Sequence, residues 1–237
     1  MTLAITIGNT NIKAGYINNK EVVSTSYPKD RFIFNLNGDF DKILISSVVP
    51  QLNNEVIIQL KEVTGIARDN ITLITTDDIP LDTSLYDTSL VGIDRLLCAY
   101  GGKTLYGYPC IIFDLGTAIS ISMVDLLGRF AGGAILPGVD MGLKALGTTA
   151  LLPTVTDITP GPVVGRSTLQ SISSGAIYGT ASIIEGMTKK IETQLGYKSK
   201  IIITGGFASK VRPYCDVELN LEENLGLTGL LRLKELK

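Results

Sequence analysis

The sequence predicts an α/β protein built from two similar halves. Short apolar runs typical of buried strands alternate with longer segments whose apolar residues recur at helical spacing. Two of the strands lead into matching glycine turns, because residues 5–10 (ITIGNT) can be laid on residues 113–118 (FDLGTA). An apolar strand followed by glycine is also a common hairpin pattern, so on this repeat alone duplication and coincidence both stay open. The length of 237 residues suits one large domain or two small ones.

The first half begins with three predicted strands, and Gly8 to Asn11 and Asn18-Asn19 supply the turns between them. A fourth strand is stopped by Pro50, since proline cannot continue a sheet ladder. A helix, a fifth strand and a second helix complete the half. The predicted strands are residues 3–7, 12–17, 21–27, 42–49 and 71–75, and the predicted helices are residues 52–64 and 90–105.

The second half repeats the opening of a strand, a glycine turn and two more strands. A short helix follows, then a long helix rich in small residues in which Gly175 or Gly179 offers a point for a break. The predicted strands are residues 110–113, 118–124, 128–135 and 201–204, and the predicted helices are residues 141–150, 169–195 and 225–236. The domain boundary is expected between residues 105 and 106, with the last helix packing back on the first domain.

Composition excludes several classes of function. The 21 basic and 23 acidic side chains give a net charge of −2, which argues against a nucleic-acid-binding surface. The chain has no histidine, so Ser-His-Asp triads and histidine metal sites are excluded. Catalysis must therefore rest on carboxylates, hydroxyls, cations and backbone amides.

Hydropathy and cysteine spacing favour a cytoplasmic protein. Hydrophobic residues make up 45% of the chain, which is ample for a core, and no apolar run reaches the ~18 residues of a membrane span. The first residues lack the features of a signal peptide. Cys98, Cys110 and Cys215 show no CxxC spacing, so neither a zinc site nor a disulfide framework is indicated.

Two glycine turns have the chemistry to hold phosphate. Gly8-Asn9-Thr10 presents backbone N–H groups and a hydroxyl toward one point, and Lys13 follows closely, although a tight hairpin explains the same residues. In the second half, the Asp114 carboxylate suits a metal ion and Thr117 suits phosphate.

Two further motifs carry an open interpretation. Gly205-Gly206 follows a buried strand and would let a flat ligand such as adenine approach the backbone, or would form a simple turn. Asp94-Arg95 begins an apolar helix, where the helix macrodipole alone favours a carboxylate.

Taken in order, these motifs resemble the type III pantothenate kinases of the acetate and sugar kinase/Hsp70/actin superfamily. The resemblance runs from about residue 3 to about residue 235. Each motif is common, whereas the ordered set is specific. Its members are residues 8–10 (GNT), 46–50 (SSVVP), 92–95 (GIDR), 114–118 (DLGTA), 132–138 (GGAILPG) and 205–206 (GG).

The resemblance implies a fold, a reaction and partners. The fold would be two duplicated ribonuclease-H-like (actin-like ATPase) domains with a nucleotide cleft between them. ATP would be the phosphate donor and pantothenate the acceptor, in the first step of coenzyme A biosynthesis. A divalent ion such as Mg²⁺ would accompany the nucleotide, K⁺ or NH₄⁺ would activate the enzyme, and the enzyme would be a homodimer without nucleic-acid or membrane partners.

Carried over by position, the resemblance also implies site residues. Asp94 matches the general base, and Asp114 matches the ligand of the monovalent cation. The acceptor contacts implied are Tyr86, Gly92, Ile93, Asp94, Arg95 and Thr168. The ATP contacts implied are Thr6, Gly8, Asn9, Thr10, Lys13, Thr117, Gly205 and Gly206.

One residue departs from the family pattern. The family has aspartate where this chain has Thr6, and the internal repeat marks the same position, since its counterpart is Asp114. Loss of a carboxylate that helps hold metal and phosphates would slow phosphoryl transfer. Another carboxylate substitutes, or the chain is a weak or inactive member, or Thr6 is an introduced change. A regulatory family member of the transcription-accessory type and a kinase for another small acceptor are the alternative functions.

Overall fold

The structure is a computed structural model that describes residues 1–18, 21–36, 38–156 and 158–233. The chain divides into two compact units, each containing one five-stranded sheet. The first unit comprises residues 1–105, residues 128–130 and the described residues from Asn224 onward. The second unit comprises residues 106–127 and 131–223.

Strands and helices alternate in the order that the sequence predicts for an α/β protein. The strands are β1 (Thr2–Ile7), β2 (Asn11–Asn18), β3 (Glu21–Pro28), β4 (Lys42–Ser47), β5 (Ile71–Leu73), β6 (Cys110–Leu115), β7 (Ala118–Val124), β8 (Phe130–Pro137), β9 (Lys200–Thr204) and β10 (Asn220–Leu221). The helices are α1 (Asn53–Thr64), α2 (Ile93–Tyr106), α3 (Val139–Gly147), α4 (Thr168–Leu195), α5 (Ala208–Val211) and α6 (Leu225–Arg232).

The sheet of the first unit has the strand order β3-β2-β1-β4-β5. β1 lies antiparallel to β2 and parallel to β4, and β4 lies parallel to β5. β1 and β4 are buried almost throughout, as is usual for central strands covered on both faces. Between β3 and β4 the described residues contain no helix, and the buried rings of Phe32 and Phe34 pack against this core instead.

The sheet of the second unit repeats this arrangement, with the order β8-β7-β6-β9-β10. β6 pairs antiparallel with β7 and parallel with β9, and β10 is parallel to β9. Each strand of the first sheet therefore has a counterpart in the second. This shared topology confirms the predicted α/β fold with two similar halves and favours duplication over coincidence.

The helices α2 and α6 of the first unit pack closely because both carry glycine at the crossing. A Cβ on Gly101 would lie 2.7 Å from the carbonyl oxygen of Leu225. A Cβ on Gly229 would collide with the carbonyl oxygen of Leu97. Any larger residue at either position would push the two helix backbones apart.

The predicted elements differ from the structure mainly at their ends. α2 begins at Ile93 rather than at residue 90, because the preceding residues form tight turns. α4 runs unbroken through Gly175 and Gly179, so the break offered by those glycines is absent. The short elements α5 and β10 were not predicted. The end of the predicted helix 225–236 and the Asn19 turn position lie outside the described residues.

Candidate active site

The β1–β2 hairpin carries five of the predicted ATP contacts. Thr6 is the penultimate residue of β1, and Lys13 stands opposite it on β2. The backbone N–H of Gly8 donates to the carbonyl oxygen of Asn11 at 3.0 Å and closes the turn, leaving Asn9 and Thr10 exposed at its tip. The turn thus presents polar groups to solvent, as a phosphate loop requires.

A series of tight turns carries the chain into α2. The Asp82 carboxylate accepts a hydrogen bond from the Ser84 N–H at 2.8 Å. The Asp87 carboxylate accepts one from the Ser89 N–H at 2.9 Å. Hydrogen bonds from the backbone and the side chain of Ser89 lower the pKa of Asp87. Gly92 precedes the helix, and a Cβ there would displace the Asp94 carboxylate from its present position.

Asp94 lies in the first turn of α2, where the helix dipole favours a negative charge. Its Oδ1 accepts a hydrogen bond from the Arg95 N–H at 2.9 Å. Although the residue as a whole is exposed, desolvation of its carboxylate by the surrounding protein raises the pKa of Asp94. The Arg95 N–H, the N–H of Asp94 itself and the Arg95 charge lower it by less. A carboxylate whose pKa moves toward neutrality is a better general base.

Arg95 is a buried cation held by aromatic groups. Only 7% of the residue is exposed, which is unusual for arginine. Its Nη1 donates to the Tyr86 hydroxyl at 3.1 Å. The guanidinium carbon lies 5.6 Å from the centroid of the Tyr86 ring and 5.5 Å from that of Phe130, within the range of cation–π attraction. Tyr86, Gly92, Asp94 and Arg95 are therefore brought together in the first unit.

The second unit gathers Asp114 and a glycine turn. Asp114 is half-buried near the end of β6, and the chain turns over Gly116 and Thr117 into β7. Gly205 follows β9 with a φ of +93°, and a Cβ there would lie 2.5 Å from Asp114 Oδ1. The N–H of Phe207 donates to the carbonyl oxygen of Leu115 at 3.2 Å, which fixes the glycine turn beside the end of β6.

Gly138 completes this arrangement at the end of β8. A Cβ on Gly138 would collide with the carbonyl oxygens of Gly116 and Thr117. The backbone after β8 therefore lies directly against the β6–β7 turn. This contact gives a physical reason for the glycine that ends the motif of residues 132–138.

Thr168 stands on a different element of the second unit, as the first residue of α4. The preceding residue, Ser167, caps the helix by accepting a hydrogen bond from the Gln170 N–H at 3.3 Å. Gly165 lies against the first turn, since a Cβ there would be 2.5 Å from the Ser171 nitrogen. The structure thus fixes Thr168 at a capped helix N-terminus.

A divalent cation would find one carboxylate in the second-unit turn. Among the described residues, no three cysteine, aspartate or glutamate side chains come together as metal ligands. Mg²⁺ commonly binds proteins through one or two carboxylates and takes its remaining ligands from water and substrate phosphates. Asp114 beside the Gly116-Thr117 turn supplies a carboxylate for a cation, and Mg²⁺ could take its ligands from water and the phosphates.

Sequence motifs led to the charged members of the site but not to the groups around them. The sequence predicts only a strand at Phe130, and nothing in its context indicates a contact with Arg95. Gly138 belongs to a motif, but the motif does not indicate its contact with the β6–β7 turn. Both contacts join residues far apart in the chain, which only the folded structure reveals.

The fold and the two groups of residues define a duplicated α/β protein with glycine turns and single carboxylates suited to phosphate chemistry. Residues 2–190 match the family described as type III pantothenate kinase, and the chain belongs to that family.

Relatives in two bacteria match almost the full chain. A type III pantothenate kinase of Persephonella marina is 34% identical, over 97% of this chain and 96% of the relative. A type III pantothenate kinase of a Sulfurihydrogenibium species is 33% identical, over 97% and 98% of the two chains.

A solved structure shares the fold. It is described as a conserved Baf family transcriptional activator from Campylobacter jejuni and has a TM-score of 0.67 and 21% identity, over 98% of this chain and 97% of that one. None of the helices in the described part of this chain has the length and apolarity needed to cross a bilayer.

Proposed function

We propose that this chain phosphorylates pantothenate with ATP, in the first step of coenzyme A biosynthesis and in the cytoplasm. The observation that carries the proposal is the Asp94–Arg95 pair at the start of α2. Desolvation by the surrounding protein raises the pKa of the carboxylate, and two aromatic rings hold the cation beside it. In this member of the pantothenate kinase family, Asp94 offers a base for a hydroxyl group, and Arg95 offers a cation for a carboxylate.

The proposed reaction is direct in-line phosphoryl transfer. The primary hydroxyl oxygen of pantothenate forms a bond to the γ-phosphorus of ATP, while the bond from that phosphorus to the β,γ-bridging oxygen breaks and ADP leaves. Asp94 accepts the proton from the attacking hydroxyl. Arg95 pairs with the pantothenate carboxylate, because a guanidinium matches a carboxylate in charge and geometry. Tyr86, Gly92 and Ile93 are the other proposed acceptor contacts from the same chain, and the second copy in the proposed homodimer contributes its Thr168.

The two glycine turns are proposed to bind ATP. Thr6, Gly8, Asn9, Thr10 and Lys13 would supply backbone N–H groups, hydroxyls and a charge. In the second unit, Thr117 would contact phosphate, and Gly205 and Gly206 would let the nucleotide approach the backbone.

Asp114 is proposed to hold a cation. The cation is K⁺ or NH₄⁺ according to the family pattern, and Mg²⁺ would accompany the phosphates. When bound, these cations neutralise negative charge on the phosphates.

A homodimer is part of the same proposal. Gly175, Gly179 and Gly186 lie on one side of α4, and a Cβ on any of them would meet, apart from the adjacent turns of its own helix, no atom of the described residues within 4 Å. Val164 and Leu169 near the start of α4 are also exposed, at 78% and 55%. Small residues allow a second helix to approach closely. Light scattering should give the mass of a dimer at micromolar protein concentration, and a monomer with full activity would contradict the proposal.

The decisive experiment is an ATP-coupled assay with pantothenate in the presence of Mg²⁺ and K⁺. Mass spectrometry should detect the monophosphorylated product. The Asp94→Asn variant is the matched control, because it keeps the shape of the side chain and removes the base. A wild-type protein that hydrolyses ATP without phosphorylating pantothenate would point instead to another small acceptor.

A second function is favoured by one residue. Thr6 replaces the carboxylate that the family pattern expects, and a chain without phosphoryl transfer would be a regulatory member. This alternative predicts ATP binding with no turnover on any small alcohol tested.

A further inference from the structure

The Phe130 ring lies next to the proposed acceptor site, although its place in the sequence is far from that site. Phe130 is completely buried, and its ring packs edge-to-face against Tyr86 with centroids 5.1 Å apart at 87°. Both rings lie within 5.6 Å of the Arg95 guanidinium carbon. The two rings and the guanidinium thus form one cluster.

The backbone around Phe130 is fixed independently of its ring. Its N–H donates to the carbonyl oxygen of Asp82 at 2.8 Å. Two residues earlier, the Gly128 carbonyl oxygen accepts a hydrogen bond from Lys103 Nζ, also at 2.8 Å. Residues 128–130 thus belong to the first unit, while the chain on either side of them belongs to the second. These two bonds hold the backbone of residues 128–130 where the Phe130 ring reaches Arg95.

Restraint of this kind has a direct consequence for a flexible cation. Arginine loses rotamer entropy when a ligand fixes it, and this loss weakens binding. A guanidinium already held by two rings and the Tyr86 hydroxyl has lost that freedom before the ligand arrives. Cation–π attraction also strengthens when the pair is removed from water, as it is around the buried Arg95.

We propose that Phe130 is a positioning residue that holds Arg95 in the orientation needed to bind the carboxylate of the acceptor. It touches neither reacting group in this role and acts only through Arg95 and Tyr86. The inference rests on the proposed function, because it takes the acceptor to be a carboxylic acid with a primary hydroxyl. It adds a residue for which no sequence motif or comparison gives a role.

The test compares Phe130→Leu with Phe34→Leu. Leucine keeps an apolar side chain but removes the ring face that attracts the cation. Phe34 is an equivalent control, since it is 3% exposed, lies in the first unit and packs edge-to-face on Tyr27 with centroids also 5.1 Å apart. Both variants should lose similar amounts of stability in urea. Only Phe130→Leu should raise the KM for pantothenate, by about tenfold, with kcat within about threefold of wild type.

A second acceptor separates positioning of Arg95 from general damage. Pantothenol has the same primary hydroxyl but an alcohol in place of the carboxylate. If Phe130 acts through Arg95, its substitution should change the KM for pantothenol by less than about threefold. Equal rises for both acceptors would overturn the proposal, and so would equal KM values in Phe130→Leu and Phe34→Leu.

Calorimetric titration distinguishes failure of this inference from failure of the proposed function. Wild-type protein should bind pantothenate in the presence of a non-hydrolysable ATP analogue, and Phe130→Leu should bind it about tenfold more weakly. A wild-type protein that neither binds nor phosphorylates pantothenate overturns the proposed function and this inference together. Normal wild-type behaviour with unchanged binding by Phe130→Leu overturns this inference alone.

Discussion

Thr6 and Asp114 occupy the same place in the two units but differ in charge. Each is the fifth residue of a six-residue central strand and is half-buried. On the parallel side, Thr6 pairs with Ser46 and Asp114 pairs with Thr204, so both lie beside a small hydroxyl residue. On the antiparallel side, Thr6 faces Lys13, whereas Asp114 faces Ser120. The second unit therefore carries a carboxylate where the first has a threonine, and the first unit carries a lysine on the neighbouring strand where the second has a serine.

The residues that follow the parallel neighbour strands also differ. After β9, Gly205 turns with a φ of +93° directly over the Asp114 carboxylate. The corresponding residue is Ser47, the last residue of β4, whose hydroxyl oxygen accepts a hydrogen bond from the Val49 N–H at 3.1 Å. Strands in equivalent positions are thus followed by a glycine turn in the second unit and by a turn with a side-chain hydrogen bond in the first.

The helices after the fifth strands continue this division. α2 in the first half carries Asp94 in its first turn, whereas the first turn of its counterpart α6 has no acidic residue. The comparison teaches that the repeated frame supports different chemistry in each half. We propose that the base and the acceptor contacts come mainly from the first half and the cation ligand from the second.

The largest expected effect follows removal of Asp94, the proposed base on α2, which has no acidic counterpart in the first turn of α6. Asp94→Asn should lower kcat by about 10²–10⁴-fold, the usual contribution of a positioned general base. ATP affinity should stay within a few fold of wild type, because the amide keeps the side-chain shape. Steady-state pantothenate phosphorylation and nucleotide titration measure the two quantities.

Asp87→Asn is the control for Asp94→Asn. It removes a carboxylate from the same loop, one that already accepts a hydrogen bond from the Ser89 N–H. Its turnover should match wild type within a few fold. Comparable losses in both variants would show that loop disruption, and not loss of a base, lowers kcat.

The glycine turn is expected to give the next largest effect. Gly205→Ala should lower the free energy of unfolding by about 1–3 kcal/mol, because the new Cβ meets fixed backbone and carboxylate atoms in a left-handed conformation. Ser47→Gly should cost only about 1 kcal/mol, from one lost hydrogen bond and added backbone freedom. Urea denaturation of both variants measures the difference. Equal costs would mean that the two turns are equally constrained.

Thr6→Asp places an aspartate at the fifth position of both central strands, β1 and β6. If the missing carboxylate limits turnover, the variant should raise kcat at least about tenfold, equivalent to about 1.4 kcal/mol of barrier. The new charge would have Lys13 opposite it as a partner. Pantothenate phosphorylation at saturating ATP and Mg²⁺ is the measurement.

Two matched variants complete this test. Thr6→Asn has nearly the shape of aspartate without its charge and should leave kcat unchanged. Asp114→Thr places a threonine at the fifth position of both central strands and should lower activity. If Thr6→Asp adds nothing to a wild type of ordinary kinase speed, the carboxylate is dispensable in this chain.

Local patterns predicted most of the fold because the central strands are continuous apolar runs and the turns carry glycine or asparagine. The structure places β1, β2, β3, β7 and α1 within one residue of prediction at either end. The break in α4 was wrong because packing of one helix face outweighs the weak helix propensity of Gly175 and Gly179. β10, with two residues, and α5, with four, are too short to show a period.

The charged site residues were predictable because their chemistry is visible in short motifs, such as the four residues ending in Asp94-Arg95. Their surroundings were not. The contact of Phe130 with Arg95 depends on packing between segments that are far apart in the chain. No pattern in the sequence around residue 130 encodes a partner on α2. The roles of the motif residues themselves stay predictions until the variants are measured.

The smallest expected effect concerns pH and the unequal first turns of α2 and α6. Desolvation raises the pKa of Asp94 above the ordinary value of 3.8, although the Arg95 N–H and the Arg95 charge oppose the shift. Between 3.8 and the folded pKa, the native state holds a proton that the unfolded state has lost. The stability that this group contributes is therefore complete below 3.8 and declines as the pH rises through the folded pKa.

Urea denaturation of wild type and Asp94→Asn from pH 4 to pH 7.5 should show the asparagine variant gaining relative stability as the pH rises, with a plateau above the folded pKa. The acid limb of kcat/KM should also lie above 3.8, since only the ionised carboxylate can accept the proton. A relative gain on acidification would mean that Arg95 outweighs burial, and the first turn of α2 would then stabilise its carboxylate as an ordinary helix N-terminus does.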